Sequence, residues 1–251
     1  MSFSSEIKQE LSCQIPSARH CRLAEMAAIL SYCSHVESAD GDSPCVKMHT
    51  ENLAVARKYF TLLRKTFNIE MNVSVRQGRN PRGSRSYEVT SFDGLEPVKH
   101  MLVQNQCCKR AYIRGAFLAS GSMSDPEKGY HFEIVCSTEE KAEKLQEMLT
   151  GFGIDARITL RKRSFVLYVK EGSQIVDLLN VMEAHVALMK FENVRILKEM
   201  RNSVNRQVNC ETANLNKTVS AAVKQIEDIQ FIQRTIGFDE LPENLAEIAV
   251  L

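Results

Sequence analysis

The chain has 251 residues, 44% apolar and 25% charged, with a formal net charge of +1. This composition supports a sizeable core and excludes a disordered chain, and the balanced charge excludes a global field that would draw in nucleic acid. Any electrostatic footprint has to come from local clustering of the 32 basic residues, and the absence of Trp leaves few stacking platforms.

The start, Met1-Ser2-Phe3-Ser4-Ser5-Glu6-Ile7-Lys8, has no apolar run of the secretory kind, and no stretch approaches the roughly 18–20 apolar residues that span a bilayer. A cytoplasmic chain with reduced thiols and no membrane partner is expected. The eight cysteines then do not read as a disulfide framework. Nor do they have zinc spacing. Cys13, Cys21, Cys33, Cys45, Cys136 and Cys210 are scattered, Cys107 and Cys108 are adjacent, and no C-x2-C pair occurs. His20-Cys21 and Cys33-x-His35 are the only close Cys/His neighbours. The spacing favours ordinary thiols over a metal site, with no cofactor.

In chain order, a first helix is predicted with Ser4 or Ser5 as its cap and Ile7 and Leu11 facing inward, broken at Ile15-Pro16-Ser17. A second helix carries Leu23, Met26, Ala27, Ile29 and Leu30 and is rich in small residues. An internal repeat then emerges at an offset of 87. Met26-Ala27-Ala28-Ile29-Leu30-Ser31-Tyr32-Cys33-Ser34 lies on Ile113-Arg114-Gly115-Ala116-Phe117-Leu118-Ala119-Ser120-Gly121. Lys47-Met48-His49-Thr50 lies on Ile134-Val135-Cys136-Ser137. Charged helices follow at 52–66 and 139–151. Alternating strands follow these, at 72–76 and 87–91 in the first copy and at 157–160 and 165–169 in the second. Helices at 94–104 and 173–187 close the copies. The unit is helix, two strands, helix, two strands, helix, twice over, which predicts an α+β domain with pseudo-two-fold symmetry. On helix 52–66, Arg57, Lys58, Arg64 and Lys65 read as a solvent face.

The last third is different. Residues 192–208 are basic, with Arg195, Lys198, Arg201 and Arg206. Leu215, Val219, Val223, Ile226, Ile229, Ile232 and Ile236 then form one helical stripe, which Gly237 stops. That stripe suits a spacer helix; a dimer seam is the alternative. Pro242 opens another helix with Leu245, Ile248 and Leu251, apolar to its last residue, as expected of a chain that stops within a domain.

The repeated small-residue helix is similar to that of the LAGLIDADG homing endonucleases. More specifically, Arg114-Gly115-Ala116-Phe117-Leu118-Ala119-Ser120-Gly121-Ser122, Asp125-Pro126-Glu127-Lys128, Asn209-Cys210-Glu211-Thr212-Ala213-Asn214-Leu215-Asn216-Lys217 and the opening Met1–Lys8 resemble the WhiA family over essentially the whole chain. The resemblance implies a LAGLIDADG-like domain of two αββαββα repeats followed by an α-helical C-terminal segment. It also implies a nucleoid-associated transcription regulator linked to sporulation, cell division or chromosome segregation. The expected divisions are an N-terminal helix at 1–20, repeats at 21–105 and 106–200, a linker helix at 201–237 and the start of a helix-turn-helix at 238–251. Leu241–Ile248 resembles the first helix of that module, and its recognition helix is expected beyond residue 251.

A nuclease of the LAGLIDADG type needs an acid at the eighth motif position of each copy, where the pair holds divalent metal. Here those positions are Cys33 and Ser120, and neither is a carboxylate. Glu37 and Asp125 lie several residues downstream and are not recruited. No P-loop, nucleophile elbow or HExxH occurs, and neither His100 nor His185 reads as catalytic. No catalytic residue is assigned.

For DNA, the main candidate is Arg76-Gln77-Gly78-Arg79-Asn80-Pro81-Arg82-Gly83-Ser84-Arg85, a hairpin loop with Arg76, Arg79, Arg82 and Arg85 and no acid between Glu70 and Glu88. The equivalent turn of the second copy is Arg161-Lys162-Arg163. In the LAGLIDADG family such hairpins line the sheet that covers DNA, so both would grip double-stranded DNA from opposite sides of the dyad. Solvated hairpin tips are the plain alternative. Three readings result. The first is a DNA-binding regulator on a catalytically dead scaffold. The second is a scaffold for another transcription or cell-division protein. The third is an active endonuclease.

Overall fold

The computed structural model describes residues 2–35, 46–67, 71–77, 85–91, 103–235, 237 and 242. Two compact units divide the chain, Met1–Arg195 and Ile196–Leu251.

The first unit opens with α1 (Phe3–Cys13). Its cap is Ser2, ahead of Ser4 or Ser5, and the Ser2 hydroxyl accepts from the Ser5 amide at 3.2 Å. Ile7 and Leu11 are fully buried, as their spacing predicts. The first copy follows: α2 (Arg19–Cys33), β1 (Ser34–His35), β2 (Val46–Thr50), α3 (Leu53–Phe67), β3 (Met71–Gln77) and β4 (Arg85–Ser91). The predicted closing helix at 94–104 lies outside the described residues, save 103 and 104, which are not helical. The second copy is α4 (Gln106–Ser120), β5 (Gly121–Met123), β6 (Phe132–Cys136), α5 (Glu139–Thr150), β7 (Arg157–Arg161), β8 (Ser164–Val169) and α6 (Gly172–Val181). α7 (His185–Thr235) runs from this unit into the next.

Both sheets are antiparallel and have the same strand order, β1-β2-β4-β3 and β5-β6-β8-β7. α2 and α4 obey the 87-residue offset from end to end. The second strands do not. Ser34 pairs Met48 and Gly121 pairs Ile134, so Met48 is equivalent to Ile134, one residue short of that offset. A strand slipped by one residue turns its core side chains to the other face, and burial follows the true register: Met48 and Ile134 are both fully buried.

α2 and α4 pack directly against each other at the pseudo-dyad. Their small residues permit this. A Cβ on Gly115 would lie 2.5 Å from the Glu25 carbonyl oxygen, so only glycine fits. Phe117 stacks on Phe132 at 5.2 Å and ties α4 to its own sheet.

The closing helix of the second copy ends earlier than its apolar pattern suggests. Glu183 takes a left-handed conformation (φ 65°), and the Ala184 amide donates to the Leu179 carbonyl at 2.9 Å. The Glu183 carboxylate accepts from Arg114 at 2.6 Å, and its carbonyl accepts from Gln14 Nε2 at 2.8 Å. A tertiary anchor at one residue therefore separates α6 from α7. The α7 start is capped from afar, since Glu10 accepts from the amides of Val186 at 2.8 Å and Ala187 at 3.0 Å.

Lys58 departs from the solvent-face reading of α3. Arg57, Arg64 and Lys65 are exposed, but Lys58 is 1% exposed and lies 3.0 Å from the fully buried Glu25 carboxylate, which also accepts from Arg114 at 2.9 Å. Lys58 donates as well to the carbonyls of Leu11 and Gln14.

The basic stretch 192–208 and the apolar stripe from Leu215 to Ile232 belong to one continuous helix. Val204, Val208, Leu215, Val219, Val223 and Ile226 on it are exposed. Gly237 has φ 85°, the left-handed geometry expected of the helix stop.

Candidate nucleic-acid interface and the pseudo-dyad

The second sheet presents one face to the core and one outward. The strand register assigns Ser122, Glu133, Tyr168 and Arg157 to one row of the outward face, with Arg161 and Ser164 further along it. Arg157, Thr159 and Arg161 are exposed along β7. The β7–β8 turn is Lys162-Arg163, with Arg161 paired to Ser164 and Lys162 at φ 59°. Arg161, Lys162 and Arg163 are thus brought together at an exposed tip.

Behind the tip, Glu133 accepts from Ser122 Oγ at 3.0 Å and pairs with His131 Nε2 at 3.1 Å and Arg161 at 3.5 Å. Partial burial raises the Glu133 pKa, but His131, Ser122 and Arg161 outweigh it and hold the carboxyl below its ordinary value. Arg157 and Lys170 extend this basic surface, Lys170 lying over the Tyr168 ring at 5.2 Å. Arg157 was not among the sequence-derived candidates, although the alternation Arg157-x-Thr159-x-Arg161 puts both arginines on one strand face.

In the first copy, Arg76 and Arg85 are not loop residues. Arg76 belongs to β3 opposite Ser86, and Arg85 begins β4 opposite Gln77, because the ladder extends further toward the tip than the alternation indicates. Arg79 and Arg82 lie outside the described residues.

The two motif acid positions end α2 and α4. Burial pushes the Cys33 thiol up to about 11, opposed by the Lys8 ammonium. Burial in turn lowers Lys8, with Cys33 opposing, and Lys8 also lies over the Phe117 ring at 5.8 Å. Ser120 Oγ donates back to the Ala116 carbonyl at 3.4 Å. A thiol, a hydroxyl and a neighbouring ammonium are a poor donor set for the hard divalent ions of the nuclease fold. Asp125 serves its own turn, accepting from the Glu127 amide at 3.0 Å. Glu37 and His100 lie outside the described residues, and His185 is exposed at the start of α7.

At the other end of the same helices, cysteines that are far apart in the sequence come together: His20, Cys21, Cys107 and Cys108 place their ligand atoms within 4.8 Å of one another.

Two copies of helix, two strands, helix and two strands, the second closed by α6, joined through a pair of small-residue helices define a LAGLIDADG-like scaffold, followed here by a long helix. Comparison with known proteins agrees. Residues 19–102 match the WhiA N-terminal LAGLIDADG-like domain, 109–201 the WhiA LAGLIDADG-like domain, and 204–251 the WhiA C-terminal HTH domain. The chain belongs to the WhiA family. It is 57% identical to the "probable cell division protein WhiA" of Lachnoclostridium phytofermentans, over 100% of this chain and 87% of that protein. It is 47% identical to the protein of that name from Alkaliphilus oremlandii, over 99% of this chain and 85% of that one. The crystal structure of full-length WhiA from Thermatoga maritima has the same fold, with a TM-score of 0.72 at 23% identity, covering 100% of this chain and 86% of that chain. Among the described residues no helix is long and apolar enough to cross a membrane.

Proposed function

We propose that this chain is a double-stranded-DNA-binding transcriptional regulator of the WhiA type, acting in cell division, chromosome segregation or sporulation, on a nuclease scaffold that no longer cleaves. The observation that carries the reading is the match of 204–251 to a helix-turn-helix domain directly after two matches to the scaffold. The names of the relatives support a role in division. The proposed division is an N-terminal helix (1–20), two repeats (21–105 and 106–200), a linker helix (201–237) and a helix-turn-helix segment (238–251). Such a regulator works in the cytoplasm on the nucleoid.

Loss of cleavage is supported by the donor set. Two carboxylates would have to hold the metal that activates water, and Cys33 and Ser120 stand there, with Lys8 beside Cys33. The exposed Arg161, Lys162 and Arg163, extended by Arg157, are suited to phosphate. Arg76, Arg79, Arg82 and Arg85 supply the corresponding charge in the first copy.

The test is a titration of labelled duplex DNA followed by anisotropy at several salt concentrations. Binding should weaken with salt. Where an arginine grips a phosphate, Arg161→Glu or Arg163→Glu should lower the log–log salt slope by roughly one unit. An unchanged slope in both variants assigns the scaffold to protein interaction instead. Magnesium-dependent nicking that survives purification and disappears in a Ser120→Ala, Asp125→Ala double variant would overturn the non-cleaving reading.

A further inference from the structure

We propose that His20, Cys21, Cys107 and Cys108 form a structural binding site for a soft divalent cation, with zinc the best fit, that clips the two copies together on the pseudo-dyad. His20 Nδ1 lies 3.1 Å from Cys108 Sγ, 3.3 Å from Cys21 Sγ and 4.0 Å from Cys107 Sγ. All four ligand atoms fall within 4.8 Å of one another. Ligand atoms bonded to one tetrahedral zinc at about 2.0–2.3 Å lie about 3.5–3.8 Å apart, so the set closes around an ion with small side-chain shifts.

The chemistry is specific. Three thiolates and an imidazole select zinc and other soft or borderline metals over magnesium and calcium. Four protein ligands leave no open position, which is the pattern of a structural site and not a hydrolytic one. When the ion binds, three S–metal bonds and one N–metal bond form, and the three thiol protons pass to solvent. The product carries about one net negative charge, three thiolates against a dication. It sits where that charge is favoured, in the first turns of α2 and α4, which contain Arg19, Arg22, Lys109 and Arg110 and no acid.

The position is also informative. His20-Cys21 and Cys107-Cys108 are equivalent under the 87-residue repeat, so each copy donates one dipeptide. Cys21 and Cys108 are buried against Ala24 and Ala111, while His20 and Cys107 form the outer rim. The motif acid positions, Cys33 and Ser120, close the far ends of the same helices. Twelve or so residues of helix put them roughly 18–20 Å away. The scaffold thus carries a thiol and a hydroxyl at the motif positions at one end of its dyad and a thiol-rich ligand set at the other.

The experiment uses the full chain, reduced and stripped of metal. Cobalt(II) is titrated in as the spectroscopic probe, and zinc is added afterwards. One equivalent of cobalt should produce a thiolate charge-transfer band with the intense visible bands of tetrahedral geometry, and zinc should abolish them. In wild-type protein, peptide mapping after alkylation should show Cys107 protected by zinc while the exposed Cys13 and Cys210 react at unchanged rates. Cys107→Ser and His20→Ala, both on the rim, should each weaken zinc binding by more than the roughly 10–100-fold typical of outer-shell changes. Octahedral cobalt spectra, reduced protein that binds no cobalt, or equal alkylation of Cys107 with and without zinc would overturn the proposal.

Discussion

Ala28 and Gly115 hold equivalent positions in the two dyad helices and meet one another: a Cβ built on Gly115 would lie 2.8 Å from Ala28 Cβ and 2.5 Å from the Glu25 carbonyl oxygen. The obstacle at Glu25 is backbone, which cannot rotate away. Gly115→Ala should therefore force α2 and α4 apart and lower stability by about 1–3 kcal/mol, despite the better helix propensity of alanine. Urea denaturation of the two proteins checks this. Ala28→Gly in the Gly115→Ala background relieves the Cβ clash but not the carbonyl one, so rescue should be partial.

The buried charges around Glu25 behave as a unit. Burial lowers the Lys58 pKa and the Glu25 carboxylate opposes it; burial also disfavours the Arg114 charge, yet Glu25 and Glu183 raise it overall. Removing one cation leaves a carboxylate short of partners in a dry site. Lys58→Met should cost on the order of 3–5 kcal/mol, far beyond the effect of Lys65→Met at an exposed position, measured by thermal or urea unfolding. The double variant Lys58→Met, Glu25→Gln should cost less than the sum of the single changes.

The helices of the dyad were legible because residues 26–34 and 113–121 carry similar apolar, small-residue stretches at one offset, and both helices run 15 residues. The features that escaped depend on residues distant in sequence. Lys58 sits among charged helix positions, and nothing local marks it as the partner of Glu25. Glu183 breaks an apolar pattern because Arg114 and Gln14 hold it, not because of its own propensity. Metal-ligand spacing is looked for within one segment, whereas His20-Cys21 and Cys107-Cys108 are half-sites from two copies. The one-residue slip between β2 and β6 was hidden because a strand of five residues has too few apolar positions to fix its own register.

Glu133 gives the outward sheet face a pH dependence. Its folded pKa is depressed below the ordinary 4.5, so its contribution to stability is present above that value and is lost as pH falls through the depressed one. Glu133→Gln keeps the shape but cannot titrate. The wild-type advantage over this variant should be present above the ordinary carboxylate range and vanish progressively as pH falls through the depressed value, followed by urea midpoints against pH. A difference that grows on acidification would mean that Glu133 is stabilised in its protonated form.

Lys162 separates folding from binding at the β7–β8 tip. A lysine at φ 59° carries the steric cost of left-handed backbone, which glycine avoids at some cost in chain entropy. Lys162→Gly should therefore raise stability, by about 0.5–1 kcal/mol. The same change removes one of three consecutive basic residues at an exposed tip. If that tip holds phosphate, the more stable variant should bind duplex DNA less tightly and with a salt slope lower by roughly one unit. Lys162→Asn tests the same separation with a residue that tolerates this backbone and carries no charge. Equal affinity and slope in both variants would show that Lys162 is placed there by the turn alone, leaving Arg161 and Arg163 as the phosphate ligands to test.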